Sequence, residues 1–106
     1  MKTSESKLWE ILVPEANNIG QRFPLIHHKN WDEFVKNITG GLTILKTAKG
    51  VWVNQDGVEY KEKMIPVRIQ CSEEAMKTIA LHTLSHYMQE AVMYHLVSER
   101  SFIVNK

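Results

Sequence analysis

Between residues 63 and 89 the hydrophobic period of the chain changes once. Met64, Ile65, Val67, Ile69 and Cys71 form an apolar run bounded by charge, which predicts a strand. From Met76 the apolar positions advance by three and four, through Ile79, Ala80, Thr83 and Tyr87, which predicts a helix with one buried stripe. Ser72 stands where its hydroxyl can accept from the free amides of the first turn. Glu73 and Glu74 follow, where the helix dipole favours negative charge.

The same reading extends to both sides. Residues 7–13 (KLWEILV) predict a first strand that is apolar on both faces apart from Glu10, ended by Pro14. Residues 15–29 predict a loop, with Phe23, Leu25 and Ile26 tacking it to the core. Asn30 and Glu33 resemble a capping box, and Trp31, Phe34, Val35 and Ile38 keep helical spacing up to a left-handed stop at Gly40-Gly41. A second strand starts at residues 42–45, bends over 46–50 and resumes at 51–53. Asn54-Gln55-Asp56-Gly57 is a hairpin turn, and the charged residues 59–63 predict a ribbon projecting past the sheet. Residues 91–97 predict a fourth strand, broken at Ser98-Glu99-Arg100 before a short terminal strand over 102–104.

The order β-α-β-β-α-β is that of the ferredoxin-like α+β sandwich, with the first and third strands central and both helices on one face. Two helices cover only one side of the sheet, yet its strands are apolar on both. The expected remedy is a homodimer or higher oligomer, packed sheet to sheet or exchanging an edge strand. The alternative is that the 15–29 loop folds over the open face.

At 106 residues, with 43% apolar and 24% charged positions, the chain is expected to form one domain over residues 7–106 behind a frayed polar end, MKTSES. A formal charge of +1 gives no reason to expect a nucleic-acid polymer or a membrane as partner. Cys71 is the lone cysteine, which excludes an internal disulfide and suits a reducing cytoplasm.

Glu10 and Arg68 interrupt the two strands expected at the centre, and a charge there needs a partner. They are either an interface ion pair or a ligand site shared with His95 or Tyr94. Lys49 and Trp52 lie close in sequence, a cation and an aromatic suited to a flat, nucleotide-like ligand. His82 and His86 have the i, i+4 spacing of metal ligands, but Thr83 stands where a zinc-protease motif has glutamate, and His95 is only a distant third candidate. No metal and no cofactor are therefore expected. His27-His28 precede the first helix. There is no phosphate loop, GxGxxG, CxxC or serine elbow, and EYKEKMIPVRIQ lacks the exposed aromatics of an RNA-recognition strand.

The stretches LWEILVP, WDEFVKNITGGLTILKTAKGVW, KMIPVRIQC and EAVMYHLVSE resemble a group of short uncharacterised bacterial and phage proteins. The resemblance spans most of residues 7–104; it implies a self-contained domain of phage or mobile-element origin and carries over no activity or site residue. The expected function is non-enzymatic binding, by an oligomer, of a small ligand such as a host signalling nucleotide, or of a host protein. The alternatives are a small enzyme of the dimeric α+β barrel kind and a structural subunit of a larger assembly.

Overall fold

The computed structural model describes residues 2–106, ordered β1 (Lys2–Pro14), α1 (Leu25–Thr39), β2 (Thr43–Ile44), β3 (Ala48–Val53), β4 (Glu59–Gln70), α2 (Glu73–His86) and β5 (Tyr94–Asn105). The sheet is antiparallel, ordered β2-β4-β1-β5, with β3 continuing the β2 edge along β4. This is the expected ferredoxin-like α+β arrangement, with β1 and β4 at its centre. The interruption between β2 and β3 has a chemical cause. Pro66 of β4 has no amide hydrogen for the ladder, and the facing chain bends away there, leaving Leu45 N–H donating to Pro66 O at 2.9 Å.

Alternation along the central strands sends Trp9, Ile11, Val13, Val67, Ile69 and Cys71 to one face, under the helices. Trp31 and Val35 of α1, and Met76, Ile79, Ala80 and Thr83 of α2, pack onto them, with Tyr87 closing the end of the core. Helix α2 runs as the sequence pattern predicts. Ser72 Oγ accepts from Ala75 N–H at 3.2 Å, and every residue of the expected stripe is buried.

Helix α1 departs from expectation. It begins at Leu25 behind Pro24, with no side-chain cap, rather than at Asn30. Leu25 and Ile26 point to solvent instead of the core, and Ile38 is also exposed; of the loop residues expected to anchor, only Phe23 packs inward. Gly40, at φ 88°, supplies the left-handed stop.

Two further expectations are corrected. Residues 2–6 do not fray but pair with Ser101–Asn105, so β1 starts at Lys2. Ser98-Glu99-Arg100 does not break the last strand. It forms a bulge closed by Ser98 Oγ, which accepts from Arg100 N–H and donates to Arg100 O. Two ribbons result, β3 with outer β4 and outer β1 with outer β5, reaching past opposite ends of the sheet and stretching the molecule to 53 Å.

Candidate functional site

On the face away from the helices, register assembles one polar row across four strands: Thr43, Arg68, Glu10 and His95. Cross-strand partners in antiparallel pairs project to the same side, so these side chains meet without any loop. Arg68 Nε donates to Glu10 Oε1 at 3.2 Å, and His95 Nε2 lies 3.5 Å from Oε2. The Glu10 side chain is only 14% exposed, against 43% for Arg68 and 44% for His95. The carboxylate thus accepts from Arg68 and lies beside the His95 ring, and the outer atoms of both neighbours face solvent. Of the neighbouring rows the lower one is apolar, with Leu12, Pro66 and Met93, whereas the upper one sets Leu8 between Gln70 and Ser98. The 15–29 loop does not cover this face. Its Phe23 stacks on His27 at 5.0 Å and meets Tyr87 edge-on, which places it on the helix side.

The other three residues expected at a site lie apart from this row. Tyr94 pairs with Ile11, so parity turns it to the helix side, edge-on to Trp9 at 5.8 Å. Trp52 stacks on Tyr60 at 4.5 Å, out on the β3–β4 ribbon. Tyr60 is eight residues along β4 from Arg68, about 26 Å at ~3.3 Å per residue. Lys49 opens instead toward Arg22 and Lys63, at the base of the ribbon on the opposite face from Glu10.

The four remaining histidines form a clasp between the start of α1 and the end of α2. His27 Nε2–H donates to the His86 carbonyl at 2.6 Å, and His86 Nε2–H donates to the His27 carbonyl at 2.8 Å. Their rings stack with centroids 4.0 Å apart. His28 Nδ1 is hydrogen-bonded to the Tyr87 hydroxyl at 2.6 Å, and His82 stacks on Phe34 at 3.6 Å. Burial holds His28 below the usual histidine value, with Asp32 pulling the other way; burial and then His86 hold His82 down too. Burial raises the Tyr87 hydroxyl. Each imidazole here is engaged by protein, and among the described residues no group of three His, Cys, Asp or Glu is placed to hold a metal ion. The His82–His86 spacing serves helix-to-helix contact.

Sequence reasoning missed Arg22 and Lys63. Counting outward from the Asn54–Gly57 turn would have paired Lys49 with Lys63, because the register runs unbroken from Val53↔Glu59.

No protein-family model matches the chain, and no curated protein sequence does. Solved structures do share its shape. A phage SAM lyase in complex with S-methyl-5'-thioadenosine aligns with a TM-score of 0.67 at 12% identity, over 94% of this chain and 90% of that one. CutA1 from Oryza sativa aligns at 0.62 and 12% identity, over 98% of this chain and 84% of that one. A Bacillus cereus protein related to NIF3 aligns at 0.62 and 11% identity, over 94% of this chain and 28% of that one. What these similarities establish is the α+β fold.

Proposed function

We propose that this chain is a self-associating binding domain that holds a small, nucleoside-class molecule on its open sheet face. The observation that carries this reading is the Glu10 row, a carboxylate flanked by an arginine and a histidine beside the apolar row of Leu12, Pro66 and Met93. A few fixed polar groups on an apolar surface is the usual make-up of a small-molecule site. The apolar row accepts a flat ring, while the guanidinium and imidazole offer directional hydrogen bonds to hydroxyls or ring nitrogens. The face is open, so a second copy packed against it supplies the roof and removes Leu12 and Met93 from water. The phage SAM lyase that shares this fold is in complex with S-methyl-5'-thioadenosine, which makes that nucleoside the first probe.

The test is native mass spectrometry of the untagged protein with S-methyl-5'-thioadenosine, followed by calorimetry on wild type and Glu10→Gln. The expected result is a multiple of the 12.3 kDa chain that retains the nucleoside, and a Glu10→Gln variant of equal mass that does not. A bare monomer overturns the reading. A variant that falls apart into monomers reassigns the row to an interface ion pair.

One observation favours a catalytic form of the same site. Glu10 and His95 are a carboxylate–imidazole pair at 3.5 Å, the arrangement that orients a general base. Conversion of the nucleoside during the titration, lost in His95→Gln with binding retained, would identify it.

A further inference from the structure

We propose that the depression at the base of the β3–β4 ribbon is a second site, for the phosphate or diphosphate group of a small molecule. It lies on the opposite face from the Glu10 row and does not depend on that site. The first observation is a conflict within the sheet. Lys49 and Lys63 are direct cross-strand partners, so two ammonium groups project side by side from one face. Like charges in that relation weaken a sheet. Among the described residues neither lysine meets a carboxylate in a salt bridge. An anion seated between them would relieve that conflict.

The second observation is a third cation brought in by a stiff turn. Asn17 Oδ1 accepts from Ile19 and Gln21 N–H at 3.1 and 2.9 Å, and Ala16 bridges to Arg22 across the turn. Glu15 N–H donates to the Lys63 carbonyl at 3.2 Å, which ties the turn to the ribbon. The Glu15 carboxylate, 18% exposed, holds Arg22 Nε at 3.3 Å and leaves the outer guanidinium nitrogens of a 77% exposed side chain free to donate. Glu15 is thus a positioning residue.

Arg22, Lys49 and Lys63, with Thr47, Ala48 and Glu15, line a depression of about 320 Å³. Three cations against one carboxylate concentrate positive charge here in a chain whose net charge is only +1. Donors converging from three segments suit an anion with several oxygens, and the arginine fork favours phosphate. The volume is at the small end of the ~300–1,000 Å³ range of ligand sites, so it encloses a headgroup and not a whole cofactor.

The experiment is a titration of the isotope-labelled full chain with inorganic pyrophosphate at constant ionic strength, followed by amide shifts and thermal unfolding. Saturable shifts at Arg22, Lys49 and Lys63 and a raised thermal midpoint are expected. Lys49→Gln and Lys63→Gln should each weaken pyrophosphate by about tenfold or more, yet raise the midpoint of the ligand-free protein by relieving the like-charge pair. Glu10→Gln should bind pyrophosphate as wild type does, which separates this site from the open face. Three results overturn the proposal: shifts that match those of sodium chloride, glutamine variants that bind pyrophosphate unchanged, or a single-stranded oligonucleotide that binds more tightly than pyrophosphate with steep salt dependence.

Discussion

Under the helices, the polar atoms of the sheet and its cover close on one another. Trp9 Nε1 donates to the Cys71 carbonyl at 3.0 Å, Trp31 Nε1 to Thr83 Oγ1 at 2.9 Å, and Thr83 Oγ1 in turn to the Ile79 carbonyl at 2.6 Å. On the open face, alternate residues of the same strands stop short of closure, because Arg68 gives Glu10 only its Nε donor and both Arg68 and His95 are well exposed beside it. Two faces built from one set of strands therefore do different work. The closed one fixes the fold, and the open one has hydrogen bonds to give.

That division can be broken by experiment. Trp31→Ala removes a side chain that is 1% exposed and the donor to Thr83 Oγ1, leaving that hydroxyl only its bond to the Ile79 carbonyl. It should cost about 3–5 kcal/mol in urea unfolding. A loss below about 1 kcal/mol would mean that the closed face is not the fold's anchor.

Acid should act next, and on the same side. His28 and His82 bind protons more weakly folded than unfolded, so the unfolded chain takes up more protons once pH falls below the usual 6.5. Stability is complete above that value and should drop as pH falls from about 7 toward 5, read as a falling urea midpoint. Asp32, raised by burial, works in the opposite sense nearer its usual value of 3.8 and does not offset the loss in that window. A flat profile would show that the clasp is not tight.

Ser72→Ala removes the one side-chain cap of α2 and should cost about 1 kcal/mol, with no change in nucleoside or pyrophosphate binding. Glu10→Gln should disturb folding least, by less than about 1 kcal/mol, since both partners are well exposed. Its larger effect should be on the binding of S-methyl-5'-thioadenosine, read by calorimetry. If it unfolds the protein as readily as Trp31→Ala, the two faces are not separable.

The parts of this structure that local chemistry decides could be read from the sequence. Ser72 through Tyr87 carries its own cap and its own stripe, and Asn54–Gly57 its own turn, with Gly57 at φ 80°. Glu10 and Arg68 were legible as partners because a charge on a central strand must be answered by a neighbour. The first turn of α1 was not legible, since what holds His27 there is the carbonyl of a residue 59 positions away. Tyr94 was placed in the wrong company by parity: one step along β5 exchanges the Glu10 side for the Trp9 side. Arg22 reaches Lys49 only through the folding of the 15–24 loop, and no periodic pattern encodes that approach.

One feature of the sheet also sets when it can form. Strand β1 lies between β4 and β5, and the contact between Arg100 and Glu5 joins positions 95 residues apart. During synthesis the central strand must therefore wait, unflanked on that edge, until Tyr94–Asn105 has emerged. Helix α2 and the β3–β4 hairpin, whose contacts are local, have no such delay. The domain should fold late and slowly for its size, with the joining of β1 to β5 as its last cooperative step. A nascent chain stalled before residue 94 would hold its hairpin and helix but no finished sheet.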